Sequence, residues 1–152
     1  MSQIICPTRG GEHSYPNQDR AISIAKERGA DLLFLYVSDV RFLDQFASPI
    51  LVDVEEELDE LGEFLLAMAE QRAEAADVDA TTVVRHGIFR EALLEVVREH
   101  KGDIVVLGSP EEDTAITTQE YLADLTQYLL MEAGVEVIVL RDGEIVEQDE
   151  FF

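Results

Sequence analysis

A chain of 152 residues suits one domain with a sizeable core and leaves little room for a second. Hydrophobic residues make up 47% of it, yet no apolar stretch approaches the roughly 18 residues needed to cross a bilayer, so insertion into a membrane is excluded. Thirty-three acidic residues against eleven Lys and Arg give a formal charge of −22, which repels a nucleic-acid backbone over most of the surface and sets DNA and RNA aside as partners.

The acidity has two readings. The plain one is a well-solvated surface that resists aggregation; the sharper one is adaptation to high salt, since lysine occurs only at Lys26 and Lys101. The lone cysteine, Cys6, allows no internal disulfide, which agrees with a reducing compartment. The opening MSQIICPTRGG lacks the basic start, long apolar core and small-residue cleavage site of a secretion signal, so the expected compartment is the cytoplasm.

The first apolar run, IIC at 4–6, is expected to be a strand, with Cys6 a small core residue. From Pro16 to Arg28, Ala21, Ile22 and Ala25 make the stripe of helix one, with Pro16 in its first turn and Gly29 as its cap. LLFLYV at 32–37 is the second strand. Residues 38–52 form a long connection, either a loop over the sheet edge or an extra short helix. From about Asp53 to Ala75, Val54, Leu58, Leu61, Leu65, Met68 and Arg72 step by three and four with EEELDE on the solvent side, giving helix two. Leu61, Phe64, Leu65, Met68 and Ala69 are expected to be core.

TTVV at 81–84 is the third strand. Phe89, Ala92, Leu93, Val96 and Val97 then mark helix three, ending near Lys101-Gly102, and DIVVLG at 103–108 is the fourth strand. Thr117, three residues ahead of Glu120, is expected to cap helix four, which runs through Leu122, Leu125, Leu129 and Leu130 to Gly134. VEVIVL at 135–140 is the fifth strand. Asp142-Gly143 follows it as a hairpin signal, so residues 141–152 are a C-terminal hairpin or tail.

Five strands alternating with four helices imply right-handed crossovers and an open, five-stranded parallel sheet with helices on both faces. Continuous, β-branched runs fit strands buried on both faces. In such sheets ligands settle outside the carboxyl ends of the strands, which selects the loops Thr8–Ser14, Ser38–Arg41, His86–Phe89 and Gly108–Thr118.

Over nearly its whole length the chain resembles the universal stress protein family, the UspA-like branch of adenine-nucleotide-binding α/β folds. IICPTRGGEHS is similar to the family's first strand and loop, with Pro7, Gly10 and Ser14 in register and Ala21 and Ala25 matching the small residues of the first helix. RHGIFREALLEVVREHKGDIVVLGS resembles the stretch through helix three and strand four, with Gly87, Ala92, Asp103 and Gly108-Ser109 in place, and GVEVIVLR resembles the closing strand. The resemblance implies a Rossmann-like, adenine-nucleotide alpha hydrolase-like fold of strand order 3-2-1-4-5, a homodimer paired through the last strand, and a role in surviving stress.

Many family members bind ATP through a loop after strand four in which a glycine, two residues, a second glycine, nine residues, a third glycine and a hydroxyl residue follow in order. Counting from Gly108, this chain has Glu111 at the second glycine, Tyr121 at the third and Leu122 at the hydroxyl position, and Arg9 replaces the aspartate of the first loop. Glu111, Glu112 and Asp113 bring carboxylates toward the place of a triphosphate, and like charges there are unfavourable unless a metal intervenes. Arg9 is expected to pair with one of these acids and plug the pocket, or else to hold an anion with the Gly10-Gly11 backbone.

The candidate ligand pocket is therefore Pro7, Thr8, Arg9, Gly10, Val37, Gly87, Gly108 and Ser109. The dimer edge is Val135, Val137 and Val139, because a bare edge strand needs covering by a second copy or by the chain's own hairpin. His13, His86 and His100 are too scattered for a metal site, and no Ser-His-Asp or Cys-His set is legible. The expected function is that of a cytoplasmic stress-response protein with a degenerate ATP motif and no cofactor, which dimerises and binds an as yet unknown protein partner or a ligand, without catalysis. The alternative is a nucleotide sensor that takes ATP or AMP with magnesium at the same loops, with weak ATPase activity. A third reading is a regulatory subunit that docks on a transporter or enzyme through the acidic surface of helix two.

Overall fold

A computed structural model describes residues 2–10, 12–38, 48–109 and 116–150. Its elements are β1 (Gln3–Pro7), a 3-10 turn (Glu12–Ser14), α1 (Tyr15–Arg28), β2 (Asp31–Ser38), α2 (Ser48–Ala75), β3 (Ala80–His86), α3 (Phe89–Glu99), β4 (Ile104–Gly108), α4 (Ile116–Ala133), β5 (Glu136–Arg141) and β6 (Glu144–Asp149). They form one sheet of order β3-β2-β1-β4-β5-β6, parallel from β3 to β5, with β6 antiparallel at the end. The sheet has six strands, where the apolar runs alone indicated five.

The continuous apolar runs are explained by burial on two faces. Ile4, Cys6, Leu32, Phe34, Ile104, Val106, Ile138 and Leu140 point into one layer with α1 and α2, and the alternate residues Ile5, Leu33, Leu35, Val105, Leu107, Val137 and Val139 point into the other with α3 and α4. Phe34 is wholly buried, and burial of a side chain of that size contributes about 1.5–3 kcal/mol.

The buried face of α2 is rotated from the stripe that hydropathy suggests. Leu66, Ala69 and Ala73 are buried, while Leu61 is 47% and Phe64 63% exposed. Small residues let the helix lie close to the sheet: a Cβ on Gly62 would come 2.7 Å from the Tyr36 ring. Met68 and Leu65 flank this face half-buried, and Arg72 reaches across to α1, where it forks onto Asp19 at 2.6 and 3.1 Å and lies over the Tyr15 ring. The side chains of Val54 and Leu58 lie outside the described residues. So does the 39–47 part of the connection before α2, whose remainder is the helix itself, begun at Ser48. Helix α4 likewise starts at Ile116, which puts Thr117 inside the helix and not at its cap.

Val135, Val137 and Val139 are buried, and β5 is not the sheet's edge. Its outer side is taken by β6, which pairs Val139 with Glu147 and Arg141 with Glu144 across the Asp142-Gly143 turn. Both turn residues have positive φ, 51° and 83°, the conformation that favours Asp-Gly in two-residue hairpins. Two side-chain ties fix the hairpin to α1. Asn17 accepts a hydrogen bond from the Gly143 N–H at 2.8 Å, and Arg28 forks onto Glu136 at 2.8 and 2.9 Å, where Gln148 of β6 also donates at 2.7 Å. Among the described residues, no helix is long and apolar enough to cross a membrane.

Candidate functional site

Connections leave β1 and β4 toward opposite sides of the sheet, and the crevice between their carboxyl ends is a cleft of about 890 Å³, ample for a small molecule. One wall comes from β1, its loop and the start of α1, the floor from Leu35, Val37, Val106 and Leu107, and the other wall from Gly108, Ser109, Tyr121, Leu122 and Leu125. Phe89 and Asp142 also border it.

The β1 wall is polar and self-bonded. The Thr8 N–H continues the ladder to the Leu35 carbonyl at 2.8 Å, and Thr8 Oγ1 accepts from the Gly10 N–H at 3.1 Å and from Gln18 Nε2 at 3.0 Å. Ser14 Oγ donates back to the Gly10 carbonyl at 2.9 Å. Gly10 has φ of +75° and its Cα abuts α2 so closely that a Cβ would stand 2.6 Å from Leu65 Cβ, so conformation and space both require glycine. Gln18, on the inner face of α1, is 1% exposed, and its Oε1 has no protein partner.

The β4 wall is mainly apolar. Leu125 is buried, Leu122 half-buried and Tyr121 46% exposed. Ser109 is fixed from the hairpin side, its N–H donating to the Leu140 carbonyl at 2.7 Å and its Oγ accepting from Arg141 at 3.4 Å. Asn17 spans the crevice between the walls: a Cβ on Gly108 would lie 2.9 Å from Asn17 Nδ2.

Pro7, Thr8, Arg9, Val37, Gly108 and Ser109 all line the cleft, as the strand-end rule expects. Gly10 buttresses it from behind through Leu65, and Gly87 is exposed in the β3–α3 turn, its N–H on the Ser38 carbonyl at 3.0 Å, away from the lining. Arg9 is exposed at the mouth; its expected partners Glu111, Glu112 and Asp113 lie outside the described residues. His13 borders the cleft, whereas His86 is turned to Asp59 at 3.2 Å and His100 is exposed beyond α3. No group of three or more His, Cys, Asp or Glu is placed to hold a metal among the described residues. Burial pushes the Cys6 thiol up to about 12, so at neutral pH it carries no thiolate and cannot serve as a nucleophile.

Asn17 and Gln18 are the site residues that the motif reading missed. Gln18 had a signal of its own: it falls on the stripe of Ala21, Ile22 and Ala25, where a polar residue is out of place.

The model of the universal stress protein family matches residues 1–141. The chain belongs to this family. A universal stress protein of Methanocaldococcus jannaschii is 31% identical over 108 residues, which cover 70% of this chain and 64% of that protein. Among solved structures, the universal stress protein UspA from Lactobacillus plantarum superposes with a TM-score of 0.71 at 21% identity, over 92% of this chain and 97% of that one. A universal stress protein in complex with cAMP gives 0.62 at 22% identity, over 93% and 97%. At these identities the two structures show the shared fold. This universal stress protein shares the α/β fold of these structures, and its own sheet carries β6 antiparallel beyond five parallel strands.

Proposed function

We propose that this universal stress protein works by binding and not by catalysis, and that its cleft takes a nucleoside or nucleoside monophosphate in preference to a triphosphate. The contrast between the two walls carries the reading. Pro7, Thr8, Val37 and Gly108-Ser109 enclose ligand-sized space, while Tyr121 and Leu122 stand on the far wall where the family's ATP pattern has a glycine and a hydroxyl residue. Backbone N–H groups close around phosphate only where glycine lets them approach, and a phenol ring beside a leucine offers neither access nor charge. Glu111, Glu112 and Asp113 add like charge on the connecting segment. The relative solved with cAMP, itself a monophosphate, supports a ligand of that size.

Calorimetric titration of ligand-free protein with adenosine, AMP and ATP, with and without magnesium, tests this. Adenosine or AMP is expected to bind more tightly than ATP in either buffer. Micromolar binding confined to magnesium-ATP would overturn the reading in favour of a metal-assisted triphosphate site.

Self-association belongs to the same reading, with β6 as the pairing edge, because β5 is covered and Ile145 and Val146 of β6 are exposed. The acids of this strand, Glu144, Glu147 and Asp149, repel a second copy at low ionic strength and are screened at high salt. Light scattering is expected to show the dimer gaining population from dilute buffer to molar salt; a monomer throughout would remove it.

A further inference from the structure

Gln18, Ser38 and Thr126 are the buried polar side chains of the described core. Gln18 sits three, four and seven residues before Ala21, Ile22 and Ala25, all buried, so an apolar residue there would complete the face of α1. Glutamine is poorly repaid by the fold. Its Nε2 finds Thr8 Oγ1, and its Oε1 is buried with no partner, where nearly all such groups in proteins have one.

Thr8 is the complement of this deficit. Its Oγ1 accepts from both Gly10 and Gln18, which occupies its two lone pairs and leaves the hydroxyl proton to be given away. Both residues line the cleft, Gln18 from α1 and Thr8 from a loop whose shape is fixed by Gly10 and Ser14. One acceptor and one donor therefore stand side by side just behind the inner wall, Gln18 being 1% exposed. Turning the amide over exchanges which of the two residues accepts and still leaves one polar atom unmatched.

We infer that Gln18 and Thr8 are the specificity-determining pair of the cleft and receive an uncharged group that both donates and accepts, either a ribose hydroxyl or the amine edge of a base. This rests on the reading of the cleft as a nucleoside site. The ligand supplies the hydrogen that Oε1 lacks and takes the one that Thr8 has left over. A site built this way rejects analogues without the group, because the protein atoms are then left unpaired.

The test is calorimetric titration of the full chain with adenosine, 2′-deoxyadenosine, 3′-deoxyadenosine and purine riboside, which lacks the exocyclic amine. It is run on the wild type, Gln18→Met and Thr8→Val. Gln18→Met keeps the shape of the side chain without its polar atoms and is expected to melt no lower than wild type, while weakening adenosine by roughly ten-fold or more. For the one analogue that lacks the recognised group, variant and wild type should bind alike, which also separates hydroxyl from amine. If Gln18→Met melts early, Thr8→Val carries the same comparison. Wild-type adenosine affinity in both variants overturns the pair and leaves the cleft reading standing; no nucleoside binding to the wild type overturns the cleft reading and the pair with it.

Discussion

The β1 wall of the cleft is held by hydrogen bonds among Thr8, Gly10, Ser14 and Gln18, whereas the α4 wall is held by Leu125 and Leu129 packing into the core behind its exposed face. The first wall has its shape written mainly into residues that touch the cleft, with Gly10 backing them against Leu65. The second owes its position to Leu125, at the base of the cleft, and to Leu129 behind it, so Tyr121 can differ from a glycine while α4 stays where it is. A fold divided in this way can change the exposed residues of one wall without disturbing its sheet, and that is how family membership and a departure from the glycine pattern coexist in one chain.

The most damaging way to break the comparison is to crowd the self-bonded wall. Gly10→Ala meets an unfavourable φ and the Leu65 side chain together, and the expected loss is about 2–4 kcal/mol. That corresponds to a melting point lower by roughly 5–15 °C in scanning calorimetry. A change of only about 2 °C would mean that the loop is looser than its bonds suggest.

The packed wall should tolerate more. Tyr121→Gly with Leu122→Ser is expected to cost about 2 kcal/mol, from glycine inside a helix and from the lost half-buried leucine, while raising ATP affinity by roughly ten-fold on titration. If stability holds and ATP affinity stays flat, the carboxylates at 111–113 and not the apolar surface exclude the triphosphate.

Smaller effects belong to the ties between α1 and the hairpin. Hydrogen bonding from Arg28 holds the Glu136 carboxyl below the usual carboxylate range against the opposing effect of burial. A depressed value adds stability above the unfolded-state range and loses it as pH falls through the folded value. Glu136→Gln is therefore expected to cost about 1 kcal/mol near neutrality, since Arg28 is partly solvent-screened, and the gap from wild type should close in acid. Denaturant curves at neutral and acidic pH measure it, and a gap that is constant with pH would assign the loss to packing instead of charge.

The mildest probe leaves the protein unchanged. With its thiol buried and protonated, Cys6 is expected to resist a thiol-reactive dye at pH 8 until the chain unfolds. Labelling of native protein within minutes would show that the β1 wall opens on that timescale.

Much of the sheet was legible because each central strand is buried on both faces, so runs such as IVVL at 104–107 and VIVL at 137–140 carry no polar interruption. β6 was less so, because EIVEQD is mostly solvated and only the Asp-Gly turn gave it away. The face of α2 was misjudged because hydropathy ranks Leu61 and Phe64 above Gly62, Ala69 and Ala73, whereas close packing against Tyr36 and the sheet selects the small residues. In the site, the strand-end rule pointed to loops of which those after β1 and β4 border the cleft, while Gly87 after β3 lies away from it and residues 39–41 after β2 lie outside the described residues. Asn17 and Gln18 escaped because their roles depend on partners far away in sequence or on an unmatched atom, and no motif encodes either.

Asn17 and Gly143 are 126 positions apart, and Arg28 and Glu136 are 108 apart. During synthesis α1 emerges more than a hundred positions before β5 and β6, and neither tie can close until those strands follow. The first helix thus keeps a flank unprotected until β5 and β6 have emerged, and folding of this sheet cannot finish before they do.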